Sequence, residues 1–360
     1  NPPYFVWSMH SGPGDYKGFA WFYFMNEHVL RFLNRRFPRD YNTVPRLYFW
    51  LFHLLWLFPW SVFIPAAIRR VAMSGFGRDR AGRMRLLAVC WTGFVLVFFT
   101  FSSTQEYYSM PCYPAIALLI GSALAVEDDR WLRFGRRVLS VVAALATVAI
   151  AAIWWSVRNL PTPGDISQAL TQNPDLYTLS LGHMGDLTLN SFAYLRAPLL
   201  LAGLAFLIGA VAAWRMTGVR LAIGMAAMMT LFLHAARLAM VTFDPYLSSR
   251  PLANALIAAP PGRLILDDQY YTWSSVIFYT NRTALLLNGR VNNLEYGSSA
   301  PDAPKDVFIG DADLARIWQS AERYYLLVEK PSVSRIASIV GKSALHTVAE
   351  SGGKYLYANR

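Results

Sequence analysis

The chain has 360 residues, 55% of them apolar and 15% charged, with 33 Lys and Arg against 22 Asp and Glu for a net charge of +11. Soluble domains hold roughly 45–50% apolar and about 25% charged residues. Together with a mean hydropathy of +0.29, this composition excludes a purely soluble enzyme and a nucleic-acid partner. Cys90 and Cys112 both fall in apolar runs with no second Cys or His at ligand spacing. No disulfide framework or zinc knuckle is therefore available, and both read as small buried apolar side chains.

In chain order, the sequence opens at Asn1 in an aromatic stretch with neither a basic n-region nor an apolar signal segment. It is expected to lack an N-terminal part. Residues 12–46 join an aromatic block, Phe19 to Phe24, to a charged one running from Glu27 through Arg31, Arg35, Arg36 and Arg39. Written as a helix, Glu27, Arg31 and Arg35 share one face and Phe24, His28 and Phe32 a neighbouring one. Such a segment suits the membrane interface, where Arg forks match lipid phosphate; a solvated linker held by Glu27–Arg31 pairing is the alternative.

Spanning about 30 Å of hydrocarbon takes roughly 20 apolar residues. Six runs approach this: Leu47–Ile68, interrupted by Pro59 and Pro65, Leu86–Phe101, Tyr108–Val126, Val138–Trp155, Ala193–Trp214 and Leu221–Val241. Arginines cluster after the first run (Arg69, Arg70, Arg78, Arg80, Arg83, Arg85), the third (Arg130, Arg133, Arg136, Arg137) and the fifth (Arg215, Arg220), whereas the alternate connections are nearly bare. The positive-inside rule makes these loops cytoplasmic and puts both the N-terminal stretch and the C-terminal tail outside. After Phe243 the composition becomes that of a soluble α/β module. Strands are expected at Arg263–Leu266, Ala284–Leu287 and Tyr324–Val328, helices at Ser274–Tyr279, Leu314–Ala321 and Val333–Val340, and a hairpin from Leu345–Ala349 and Tyr355–Ala358. The fold class is thus mainly α: a polytopic bundle of about six spans with a small periplasmic α/β domain. The expected divisions are 1–46, 47–241 and 242–360.

Chemistry concentrates in two places. His28 could ligate a metal, shuttle a proton or donate to phosphate. One histidine beside Glu27 is a sparse donor set, because adjacent residues point apart on a helix. The second place is the polar interruption from Ser102 to Tyr113. Polar irregular backbone at membrane depth lines a cavity or is buried in protein, so Glu106, Tyr107, Tyr108 and Tyr113 are candidate donor or headgroup contacts, against the simpler reading of an interfacial turn. His53 lies within the first run, and His234 and Arg237 near the outer end of the last. With no Gly-x-Gly-x-x-Gly and no Walker loop, no nucleotide cofactor is expected.

The run Trp21 to Phe32, with Phe49-Trp50-Leu51 and Leu57-Phe58-Pro59-Trp60, resembles bacterial polyprenyl-phosphate-dependent glycosyltransferases of the aminoarabinose transferase and protein O-mannosyltransferase type, in the GT-C superfamily. The Ser-rich run ending Met110-Pro111-Cys112-Tyr113 is similar to that family's Ser-Lys-x-Lys-Leu-Pro-x-Tyr motif, although both lysines are absent and Gln105 and Glu106 lie in this stretch. The resemblance implies a multi-pass inner-membrane enzyme that moves a sugar from a polyprenyl-phosphate donor to a lipid A-like or protein acceptor on the periplasmic face. It implies a donor-phosphate contact from Tyr113 and a site for a divalent metal or phosphate at His28, with Glu27 beside it; from the residues themselves, Arg31, Glu106, Tyr107 and Tyr108 are the further expected donor-phosphate contacts. The family's catalytic aspartate precedes the stretch matched by Asn1, so no general base is assigned here. A secondary transporter would need inverted repeats, of which the sequence has no sign; a non-catalytic membrane scaffold is the other alternative.

Overall fold

The computed structural model describes all residues except 1–3, 40–42, 103–104, 126–128, 172 and 174–181. Expectations at Ser103, Thr104 and Val126 therefore lie outside the described residues. The chain divides into two compact units, Asn42–Thr162 with Leu170–Val241, and Asn1–Tyr41 with Pro163–Ala169 and Thr242–Arg360.

The first unit is helical. Helix α1 (Arg46–Trp56) stops just before Pro59, a 3-10 turn follows at Trp60–Phe63, and α2 (Ile64–Ser74) restarts with Pro65 in its first turn. Proline lacks the N–H needed to continue a helix but suits a new first turn, so the first apolar run is a pair of helices bent by 98°. Helix α3 (Arg80–Phe101) is capped by Asp79, whose carboxylate accepts from Gly82 N at 3.1 Å. The third run is not one helix either. A 3-10 stretch at Glu106–Cys112 contains Pro111, and α4 (Tyr113–Leu124) starts afresh with Pro114 and has only 12 residues, about 18 Å at 1.5 Å per residue. Then come α5 (Arg130–Val157), α6 (Leu189–Tyr194), whose Thr188 and Ser191 form a capping box, α7 (Arg196–Arg215) and α8 (Gly218–Thr242).

Among the described residues α3, α5, α7 and α8 are long and apolar enough to span a membrane, with a fifth span if the bent α1–α2 pair counts as one. Of the six apolar runs expected as spans, prolines divide two, so the first and third are not single long helices. The core gathers Phe63, Ala67, Val95, Ile120, Leu139, Leu221 and Met225. Small residues let the helices approach: Ser140 Oγ donates to Ala210 O across α5 and α7, and a Cβ on Gly224 would lie 2.5 Å from that of Ala212.

The second unit is built on a six-stranded sheet. In chain order it contains α9 (Asp244–Leu247), α10 (Arg250–Ala258), β1 (Arg263–Asp267), α11 (Ser274–Thr280), β2 (Ala284–Leu287), α12 (Asn293–Gly297), β3 (Phe308–Ile309), α13 (Asp311–Trp318), β4 (Tyr324–Glu329), α14 (Val333–Val340), β5 (His346–Ser351) and β6 (Lys354–Ala358). The sheet order is β3-β2-β1-β4-β6-β5. β1 pairs in parallel with β2 and β4, and β6 runs antiparallel between β4 and β5. Near-continuous apolar strands such as Tyr324–Val328 are what a sheet covered on both faces requires; one face packs Leu264, Leu266, Trp273 and Leu327, the other Ile265, Leu314, Leu326 and Ile336. The hairpin turn requires Gly352 (φ 62°), because a Cβ there would lie 1.7 Å from Pro245 O.

The N-terminal stretch packs on this module. Its central turns, Trp21–Leu30, form a π-helix. Trp21, Met25 and Leu30 are buried against Tyr296 of α12, whose ring lies 4.6 Å from that of Phe22 and 5.8 Å from that of Trp21. The Tyr296 hydroxyl accepts from Lys17 N at 2.9 Å and donates to Gly18 O at 3.1 Å.

Candidate functional site

The candidate residues form two groups, one in each unit. In the helical unit, Glu106, Tyr107 and Tyr108 lie in the 3-10 stretch and Tyr113 starts α4. Proline at positions 111 and 114 keeps this backbone from joining one long helix, which is why polar side chains gather here. Glu106 is 1% exposed. The Tyr108 ring lies between Tyr107, 5.2 Å away, and Phe99, 5.4 Å away. Ser109 Oγ donates to the Tyr113 hydroxyl at 3.4 Å.

His53 of α1, given no role by the sequence, is the neighbour that the fold brings to Tyr113, at 6.5 Å between ring centroids. It is buried, its Nδ1 lies 2.6 Å from Phe49 O, and its Nε2 has no hydrogen-bond partner among the described residues. With Nδ1–H donating to the carbonyl, Nε2 is left as an acceptor in an apolar setting. The signal in the sequence was an ionisable residue inside an apolar run.

From Tyr113 an apolar cavity of about 390 Å³ follows α4 through Ile116, Ile120, Gly121 and Leu124 to Val219 of α8. Along Gly121 nothing lies within 4 Å of where a Cβ would be. A phenol at one end of a narrow apolar trough suits a ligand with a polar head and a long hydrocarbon tail.

In the second unit Glu27 is held by two guanidiniums, with Arg31 Nη1 at 3.1 Å and Arg36 Nε at 2.7 Å. Arg36 is buried and donates also to Pro38 O and to Asn293 Oδ1 of α12. The helical face expected to align Glu27, Arg31 and Arg35 is corrected here. The helix ends at Asn34, in a left-handed conformation with φ 58°, so Arg36 rather than Arg35 returns to Glu27. Buried Asn26 fixes that return, accepting from Phe37 N at 2.9 Å and donating to Phe37 O. The roles of Arg36 and Asn26 were not legible in the sequence, because Glu27 and Asn293 for the first and Phe37 for the second lie nine or more residues away.

His28 is exposed, with Nδ1 2.7 Å from Tyr23 O and its ring edge-on to Tyr23 at 5.0 Å. Glu27 and His28 do not fit a metal: the carboxylate is committed to two cations, the imidazole faces a carbonyl, and no group of three His, Cys, Asp or Glu among the described residues could hold an ion. What the group offers is cationic, with Arg31 a little over a third exposed at the edge of the Glu27 pair.

No protein-family model matches the chain. By sequence it is similar to the undecaprenyl phosphate-alpha-4-amino-4-deoxy-L-arabinose arabinosyl transferase of Erwinia tasmaniensis, 26% identical over 314 residues, covering 84% of this chain and 50% of that protein. The enzyme of the same name from Pectobacterium carotovorum is 29% identical over 44% of this chain and 28% of its own length. The chain thus spans about half the length of the first of these curated relatives. By structure it matches ArnT from Cupriavidus metallidurans bound to undecaprenyl phosphate, with a TM-score of 0.67 and 18% identity over 95% of this chain and 56% of that one. The apo state of the same protein gives a TM-score of 0.63 over 94% of this chain and 57% of that one. The resemblance to aminoarabinose transferases is borne out, and the fold is that of a multi-pass membrane protein of this type.

Proposed function

We propose that this chain is the part of a membrane glycosyltransferase that holds a polyprenyl-phosphate sugar and presents it to a lipid A-like or protein acceptor at the periplasmic face of the inner membrane. One observation carries this reading: the apolar trough along α4, with Tyr113 in its lining, in a fold shared with a protein crystallised with undecaprenyl phosphate. An isoprenoid tail needs such a trough and a phosphate needs donors at its mouth.

Orientation supports the periplasmic assignment. Helices α3, α5 and α8 begin, and α7 ends, at arginine-rich connections, which the positive-inside rule makes cytoplasmic. Phe101 is then outside and Arg130 inside, so the segment between them crosses. Its 3-10 stretch and α4 have a contour of about 32 Å at roughly 2.0 and 1.5 Å per residue, enough for the hydrocarbon core. The bent α1–α2 pair likewise crosses once, consistent with Asn1–Tyr41 and Thr242–Arg360 forming one unit.

In the mechanism supported by these residues, an acceptor hydroxyl or phosphate displaces the polyprenyl phosphate at the anomeric carbon with inversion. The leaving phosphate gains negative charge as the glycosidic bond breaks. In the helical unit the Tyr113 O–H stabilises that charge beside the apolar trough, where hydrocarbon excludes water; in the other unit the Arg31 guanidinium is a separate contact for phosphate. No described residue is assigned as the base that takes the acceptor proton. The test uses the full-length enzyme with a defined undecaprenyl-phosphate sugar. Arg31→Ala and Tyr113→Phe should each lower kcat/KM by roughly tenfold to a hundredfold, and Gly121→Phe, which fills the trough, should raise KM for the lipid donor. Undiminished turnover in the first two variants removes both residues from the site.

A further inference from the structure

Helices α5 and α7 pack closely where Ser140 meets Ala210. Toward the Trp155 end of α5 they leave an apolar groove of about 400 Å³ whose lining includes Ile150, Trp154, Trp155, Leu200, Gly203 and Leu204. It shares no residue with the trough along α4. Such a groove on a membrane bundle accommodates an acyl chain; polar groups at its mouth select which lipid.

Three such groups are present. The Arg158 guanidinium lies over the Trp155 ring, 3.7 Å from its centroid, and donates to Trp155 O at 2.6 Å. Trp154 Nε1 is buried without a hydrogen-bond partner among the described residues. Arg196 at the start of α7 donates to Val157 O at 3.0 and 2.8 Å and to Leu160 O, carbonyls on either side of Arg158. Two cations thus share one corner, and neither is in an ion pair among the described residues. No Asp or Glu occurs in α5 or α7, and Arg158 is the one Lys or Arg between Ser156 and Phe192. A buried indole N–H is costly to leave unsatisfied, and basic pockets between membrane helices bind lipid phosphates.

We propose that this groove is a binding site for an anionic diacyl phospholipid. One acyl chain lies between α5 and α7, the phosphate sits on Arg158, and Trp154 Nε1–H donates to an ester or phosphate oxygen. The site is independent of the donor trough, so it stands or falls apart from the glycosyltransferase reading.

The experiment is native mass spectrometry of the whole purified protein after exchange into mixed micelles containing phosphatidylglycerol and phosphatidylcholine. The wild type should retain phosphatidylglycerol over phosphatidylcholine at least fivefold. Arg158→Gln should bring the two to parity, Arg158→Lys should keep most of the preference, and Trp154→Phe should lower phosphatidylglycerol retention two- to fivefold. Leu200→Trp, which fills the groove from an exposed position, should exclude both lipids. Melting curves identify any variant that fails to fold, and Trp154→Phe, a near-isosteric change, then decides. Equal retention of the two lipids by the wild type, or an unchanged preference in Arg158→Gln, overturns the proposal. Displacement of the bound phospholipid by undecaprenyl phosphate would do the same, by giving the groove to the donor.

Discussion

Glu27 is shared by two guanidiniums of very different exposure, and the difference sets what each contributes. Arg36 is buried and bonded also to Pro38 O and Asn293 Oδ1, so truncating it leaves Glu27 with Arg31 alone and strands a carbonyl and an amide oxygen. Arg36→Ala should destabilise the second unit by roughly 3–5 kcal/mol. Arg31→Ala, at the exposed edge, should cost less than about 1 kcal/mol. Thermal melts of the two variants distinguish an anchoring Arg36 from an Arg31 at the edge of the pair; equal losses would contradict this division. Tyr296 anchors the same stretch, and burial pushes its hydroxyl up to about 12 from an ordinary 10.0. Because the folded value lies above the unfolded one, the folded state binds the proton more tightly. Stability from this group is complete below about pH 10 and is lost as pH rises toward 12. Burial lowers the Lys354 value, which has the opposite sign, but that gain is complete at its ordinary 10.5. Melting temperature should therefore fall between about pH 10.5 and 12. Tyr296→Phe should flatten the fall in part, since Tyr355 is also raised to about 12 and remains.

At the level of elements, much was legible where local patterning decides the outcome. The strand at Ala284–Leu287 and the helix at Val333–Val340 have the bounds expected from their apolar runs, and the Gly352-Gly353 turn makes the terminal hairpin. Two of the six apolar runs misled, because run length counts greasy residues and not helix continuity. Pro59 and Pro65 bend the first run, and Pro111 and Pro114 divide the third. The short β3 and α12 were missed because two and five residues carry no periodicity, and α12 supplies Tyr296 and Asn293. Helix packing yields a further test. Gly224 faces Ala212 with no room for a side chain, whereas nothing lies within 4 Å of a Cβ at Gly93 on α3. Gly224→Val should lower stability by roughly 1–3 kcal/mol through overpacking of α7 against α8. Gly93→Ala should be neutral or stabilising by up to about 1 kcal/mol, because alanine favours the helix. Melting in detergent micelles compares the pair, and equal effects would mean that these helices do not rely on small residues to approach.

For the molecule as a whole, charge placement was the most informative signal in the sequence and the candidate site the least. Twelve arginines in three connections orient the chain by a rule that needs no tertiary structure. The two candidate groups draw on side chains far apart in sequence, Glu27 and Asn293 in one and His53 and Tyr113 in the other, which only folding brings near. The orientation itself makes a prediction that does not depend on any catalytic assignment. On the proposed orientation a cysteine at Arg78, between α2 and α3, is expected on the cytoplasmic side and one at Lys342, after α14, on the periplasmic side. In cells with a permeable outer membrane and an intact inner membrane, a membrane-impermeant maleimide should label Lys342→Cys at once and Arg78→Cys only after the inner membrane is opened. Native Cys112 is buried, and Cys90 lies within the apolar span α3, so both contribute little background in a polar reagent, and the Cys90→Ser variant sets the baseline. Labelling of both positions from outside would require an even number of crossings between α2 and the tail in place of five, leaving the α4 segment as a re-entrant element and not a span. The reverse order would keep five crossings and invert the orientation.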